Sequence, residues 1–181
     1  MSEQFCLTLA QLNPTVGDLT GNAAKARAAF AEAKAAGADM LVLPEMFIAG
    51  YQAQDLVLKP AFTADAMAHI ERLARDCADG PAIGIGGPLA EDGKLFNAYF
   101  VLKGGEISAI VRKHHLPNTH VFDERRLYDQ GPVSGPYAVN GVRIGTPICE
   151  DAWHEDVCEA LEESGAQILI VPNGSPYFRR K

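Results

Sequence analysis

Short apolar runs of strand length recur along this chain, separated first by helix-length stretches and later by two-residue turns. Phe5-Cys6-Leu7-Thr8-Leu9-Ala10-Gln11-Leu12 has a period near two, and Met40-Leu41-Val42-Leu43-Pro44 is a run suited to a strand buried on both faces. Between them lies an alanine-rich stretch, Ala23 to Ala36, bounded by Gly37. Alanine is the strongest helix former, Asn22 or Thr20 suits the cap, and glycine suits the stop, so the three pieces read as a β-α-β unit. A second helix is predicted from about Asp65 to Cys77, where Met67, Ile70, Leu73 and Ala74 keep helical spacing. Ala82 to Gly86 reads as another buried strand. Leu95 to Leu102 and Glu106 to Arg112 flank Lys103-Gly104-Gly105, and Tyr137 to Val139 and Val142 to Ile148 flank Asn140-Gly141. Both are hairpin signals, the Asn-Gly pair the stronger. Trp153 to Ser164 reads as a helix and Gln167 to Val171 as a last buried strand. Strands that alternate with helices and also pair as hairpins restrict the chain to an α/β fold with a mixed sheet.

The 181 residues suffice for one domain with a real core, and 48% hydrophobic with 22% charged residues is an ordinary globular balance. The formal charge is −7 and no basic run offers a footprint for phosphates, so nucleic acid is not an expected partner. The apolar runs are too short to span a membrane, and no secretory signal is visible. Cys6, Cys77, Cys149 and Cys158 show no CxxC spacing, so a reduced, cytoplasmic protein is the simplest expectation. Pro172 to Lys181 reads as an active-site loop with no closing element after it, and the chain is therefore expected to be a fragment of a longer fold.

Three residues share one structural address. Glu45 follows the strand ending at Pro44, Lys113 the strand ending at Arg112, and Cys149 the strand ending at Ile148. In α/β folds, functional groups collect beyond the carboxyl ends of strands. A carboxylate, an ammonium and a thiol gathered there suit nucleophilic acyl transfer: the carboxylate takes the thiol proton, the thiolate attacks a carbonyl, and the ammonium stabilises the oxyanion. Cys149 lies just before a predicted helix start, where free N–H groups favour a thiolate. The competing reading is that Cys149 is a small buried hydrophobe, as Cys6, Cys77 and Cys158 are read to be. Spacing alone leaves these two even. His114, His115, His120 and His154 offer a rival, a Cys-His pair or a metal site. No HExxH or CxxC spacing accompanies them, so no metal is expected.

These runs resemble the nitrilase (carbon–nitrogen hydrolase) superfamily, which carries Glu, Lys and Cys in this chain order. The matching runs are Leu43-Pro44-Glu45, Arg112-Lys113-His114-His115-Leu116-Pro117 and Ile148-Cys149-Glu150-Asp151-Ala152-Trp153. Finer features are similar to one branch, the glutaminase domain of glutamine-dependent NAD synthetases: Ala10 to Leu19, Gly50-Tyr51, Leu116-Pro117-Asn118, Val121 to Arg126, and Asn173-Gly174-Ser175-Pro176-Tyr177. The resemblance implies an α-β-β-α sandwich with mixed sheets, incomplete at its C-terminal end, residues 1–181 being a partial glutaminase domain. It implies Glu45 as base, Lys113 as oxyanion stabiliser, Cys149 as nucleophile, and Glu124 as a supporting glutamate that positions Lys113. A solvated loop charge is the other reading of Glu124. Ser175 and Lys181 match glutamine-binding positions. Thr119 stands where relatives often carry a glutamine-contacting tyrosine. Glutamine is the implied substrate, and a homo-oligomer is expected. ATP, magnesium and deamido-NAD would belong to a synthetase domain outside these residues, since no SGGxDS run occurs here. A stand-alone hydrolase of another amide or nitrile, and a catalytically silent assembly module, are the alternatives.

Overall fold

Alanine sets how closely the first helix sits on its sheet. In the computed structural model, which describes residues 4–175 and 179, α1 (Leu19–Ala35) turns Ala23, Ala26 and Ala33 fully inward, with Phe30 filling the space beside them. The cap is Asp18, two residues before Thr20 and four before Asn22, the two expected caps, and its Oδ1 accepts from the Gly21 N–H at 2.8 Å. Asn22 does a different job. It is buried, and its amide donates to the carbonyls of Thr15 at 2.8 Å and Ile48 at 3.0 Å, so the helix start grips the segment that follows Glu45.

The strands β1 (Leu7–Leu9), β2 (Met40–Val42), β3 (Ala82–Glu91), β4 (Lys94–Lys103) and β5 (Glu106–Arg112) form one sheet in that order. The first three are parallel and the last two pairings antiparallel, so the sheet is mixed, as the sequence pattern implies. β6 (Tyr137–Val139), β7 (Val142–Gly145) and β8 (Ile168–Leu169) form a second sheet. Strand alternation assigns each face. Leu41, Ile83, Ile85 and Phe100 pack under α1 and α2 (Pro60–Asp76). Met40, Ala82 and Val101 point the other way and meet Val139, Ile144 and Ile170 of the second sheet. On its far side, α3 (Glu155–Glu163) buries Val157 and Leu161, with Leu161 against Gly145. The layers are therefore α-β-β-α, and each fully buried Leu, Ile or Phe contributes about 1.5–3 kcal/mol to holding them together.

Several boundaries differ from the sequence reading. The Asp92-Gly93 pair, with φ of 51° and 75°, joins β3 to β4 as a two-residue turn that the sequence reading passed over in favour of Asn140-Gly141. The second helix starts at Pro60, whose fixed φ and missing N–H suit a first turn. α3 starts at Glu155, because Cys149–Trp153 is wound as a separate 3-10 turn. Cys6 is exposed, contrary to its reading as a buried hydrophobe: it precedes an edge strand with a neighbour on one side only. Cys77 is buried and Cys158 half-buried. Among the described residues no helix is long and apolar enough to cross a membrane.

Candidate active site

Glu45 sits where the chain leaves β2 and turns sharply. Met46, the next residue, has φ of 52°, and the turn is laid against β3 by the Ile48 N–H donating to Gly86 at 3.0 Å. The approach is so close that a Cβ on Gly86 would fall 2.1 Å from the Met46 nitrogen. Only glycine leaves room there. Gly86→Ala is expected to cost about 1–3 kcal/mol through overpacking and to displace Glu45. Urea denaturation together with a turnover assay checks this, and wild-type values for both would assign the tight approach no role.

Lys113 follows β5, and its backbone N–H donates to Asn97 of β4 at 2.8 Å. Its ammonium is fully buried, 2.7 Å from Glu45 Oε1 and 2.9 Å from Glu124 Oε2. Burial opposes its charge, but the two carboxylates outweigh that and hold Lys113 above the ordinary lysine range. The ammonium is therefore charged at any working pH. Glu124 is 2% exposed while Asp123, Arg125 and Arg126 around it are exposed, so it is no solvated loop charge. Burial pushes its carboxyl up, against the pull of Lys113.

Cys149 opens the 3-10 turn with φ of 49°, and its N–H donates to the Pro172 carbonyl at 3.0 Å. The thiol is within hydrogen-bonding reach of Glu45. Burial and the Glu45 carboxylate push it up to about 12, against the pull of Lys113. The expectation that a helix start favours a resting thiolate is thus overturned. α3 begins six residues later, and the near charge is negative. Burial and the neighbouring carboxylate favour the thiol over the thiolate at this position.

Three further groups frame this centre. Asp151, 2% exposed, accepts the backbone N–H groups of His114 at 3.1 Å and His115 at 2.6 Å on Oδ1, and that of Ile148 at 3.0 Å on Oδ2. The Tyr51 hydroxyl donates to Glu124 Oε1 at 2.9 Å, and the Tyr51 ring lies under Gly174, whose N–H donates to Glu45 Oε2 at 2.8 Å. Asn97 donates to both carboxylates, to Glu45 Oε1 at 2.8 Å and Glu124 Oε1 at 3.0 Å. The sequence reading gave none of the three a role. Asp151 had a signal, its place two residues after the thiol; Asn97 showed only as a polar residue inside Leu95 to Leu102, which does not say what it bonds.

The structure thus brings Glu45, Lys113, Cys149 and Glu124 together. Ser175 is exposed and directly follows Gly174, whose N–H donates to Glu45 Oε2. Thr119 is exposed on the loop after β5, its carbonyl accepting from Phe122 at 3.0 Å, and no described hydrogen bond joins its side chain to the centre. Lys181 lies outside the described residues. His114, His115 and Asp156 place one potential ligand atom each within 4.8 Å of one another. The groups already have partners: His115 is paired with Asp156 at 2.9 Å, and His114 Nδ1 with the Gly131 carbonyl at 2.7 Å.

Comparison with known proteins places this geometry. The chain is 59% identical over its whole length to the glutamine-dependent NAD(+) synthetase of Rhodobacter capsulatus, covering 33% of that protein. It is 36% identical over 173 residues to the synthetase of the same name from Thermotoga maritima, covering 94% of this chain and 30% of that one. The solved glutamine-dependent NAD+ synthetase of Acinetobacter baumannii, in complex with adenosine diphosphate, superposes with a TM-score of 0.90 at 31% identity, over 96% of this chain and 33% of that one. The chain spans about a third of the length of these relatives. The carbon-nitrogen hydrolase profile matches residues 6–180, and with it the chain belongs to the carbon-nitrogen hydrolase family.

Proposed function

We propose that this chain is the glutamine-hydrolysing part of a glutamine-dependent NAD synthetase, releasing ammonia for a separate ATP- and magnesium-dependent amidation of deamido-NAD. The observation that carries the reading is a buried ammonium clamped between two carboxylates, with the buried Cys149 thiol beside one of them. Cys149 attacks the carboxamide carbon as Glu45 takes its proton, which offsets the high cost of baring a thiolate in this buried place. The carbonyl electrons move to oxygen, and the Lys113 ammonium stabilises that oxyanion in a site where little water screens it. Collapse of the adduct breaks the C–N bond. Glu45 returns the proton to the departing nitrogen, so ammonia leaves and a thioester remains. A water then gives its proton to Glu45 and attacks the thioester. Glutamate departs, and the thiol regains its proton.

The test is release of glutamate from L-glutamine by the full-length protein, alongside other amides and nitriles. Turnover of another amide with none of glutamine would make it a different hydrolase. Failure of a thiol-reactive glutamine analogue to label Cys149 would leave an assembly module. We place the α-amino-acid end of glutamine on Ser175 and Lys181, because Ser175 follows the residue that bonds Glu45. A hydroxyl and a cation hold a carboxylate by charge-assisted bonds. Ser175→Ala and Lys181→Ala are expected to raise the KM for glutamine about tenfold each, with ammonia-dependent synthesis unchanged. Unaltered KM in both variants would assign the loop to structure alone.

A further inference from the structure

Asn97 is a polar residue in the middle of β4, opposite Pro88 of β3 and 1% exposed. A buried amide in a sheet interior is costly unless its hydrogen bonds are made. Here its Nδ2 donates to Glu45 Oε1 at 2.8 Å and to Glu124 Oε1 at 3.0 Å, its backbone carbonyl accepts the Lys113 backbone N–H at 2.8 Å, and its side-chain Oδ1 has no partner among the described residues. One residue therefore holds three members of the site. A primary amide has two N–H donors on one nitrogen, so it can serve two carboxylates at once without adding charge.

We propose that Asn97 is a positioning residue, which holds Glu45 and Glu124 on two sides of the Lys113 ammonium by donating one N–H to each. The inference rests on the reading of Glu45 as the base. Two carboxylates at one ammonium repel each other, and each binds a proton more readily as the other approaches. Donors to their oxygens oppose this. Glu45 Oε1 has two donors, Lys113 and Asn97, and Oε2 has the Gly174 N–H, which together fix the plane of the carboxylate. Glu124 Oε1 has Asn97 and the Tyr51 hydroxyl, leaving Oε2 for Lys113. The charged and titratable groups facing Glu45 are Lys113 from the end of β5, Glu124 and Tyr128 from the segment around 124–128, Tyr51 from the segment after β2, and Cys149 from its turn.

The test compares Asn97→Ser and Asn97→Asp with Leu102→Ala, a core variant of the same strand. Two pH profiles are measured on the full-length protein. One is glutamine turnover. The other is alkylation of Cys149 by iodoacetamide, located by peptide mass, which needs no amide substrate. Without the amide donor a carboxylate takes up its proton at higher pH, so the acid limb of both profiles should move upward by about one pH unit in Asn97→Ser. It should move further in Asn97→Asp, which adds a third negative charge. The kcat should fall about 100-fold while KM changes little. Leu102→Ala should lose stability without moving either limb. Unmoved limbs in both Asn97 variants, or an equal shift in Leu102→Ala, would overturn the proposal. So would failure of both Asn97 variants to fold while Leu102→Ala folds, since that assigns Asn97 to structure. Absence of glutamine turnover in the wild-type protein, with the alkylation limb still governed by Asn97, would sink the substrate and spare the positioning role.

Discussion

Cys149→Ala is expected to lower glutamine-dependent synthesis in the full-length protein by at least about four orders of magnitude, because a nucleophile has no substitute in a covalent route. Synthesis from added ammonium should be unchanged, since ammonia enters after this step. Cys149→Ser should fail nearly as completely. The thiol already sits at about 12 under burial and the Glu45 carboxylate, and a hydroxyl is a still weaker acid in the same place. The serine oxygen would therefore have to be deprotonated by a base whose reach was set for sulfur. Paired assays with glutamine and with ammonium chloride check this. Glutamine-dependent activity retained in Cys149→Ala would remove the residue from the chemistry.

Lys113→Met should be as damaging and for two separable reasons. The ammonium is fully buried and bonded to Glu45 and Glu124, so its removal leaves two carboxylates facing each other without a cation. Removing one partner from such a buried set costs about 3–5 kcal/mol. Turnover should also fall by at least about two to three orders of magnitude with loss of the oxyanion partner. Adding Glu124→Gln to Lys113→Met separates the effects. It removes one of the stranded charges, so urea stability should recover in part while activity does not. Combining Lys113→Met with Cys149→Ala should add little to the loss of turnover, as residues that act as a unit are not additive. Recovery of activity together with stability would mean that Lys113 serves only the fold.

The strand ends were legible because period and composition mark where buried strands stop, and Glu45, Lys113 and Cys149 stand three, one and four residues beyond the ends of β2, β5 and β7. The resemblance to the family then joined three positions that local pattern left even with blander readings. Asn97 was not legible in this way. It belongs to an apolar run, and nothing local tells that two carboxylates from residues 45 and 124 converge on it. The late start of α3 was hidden for a similar reason. Cys149–Trp153 is held by the Pro172 carbonyl and by Asp151, contacts that local helix propensity does not contain. The thiol's upward shift follows from the same long-range fact, a carboxylate brought from 104 positions away in the chain to lie beside it. Cys6 reversed expectation because a period-two pattern does not say which strand is outermost.

Asp151 sets the tolerance of the whole assembly. The apolar seam between the two sheets attracts without direction, so by itself it permits small slips of one sheet over the other. A slip of an ångström is harmless to such a seam and ruinous to a proton transfer between side chains carried by different sheets. The Asp151 carboxylate takes two N–H groups from the residues after β5 with one oxygen and one from the end of the β7 segment with the other. It works as a dowel driven through both layers. Thermal sliding that shifts the lysine must carry the cysteine with it, so the gap between them is held to the play of three hydrogen bonds, while the seam stays free to accept substitutions a few residues away.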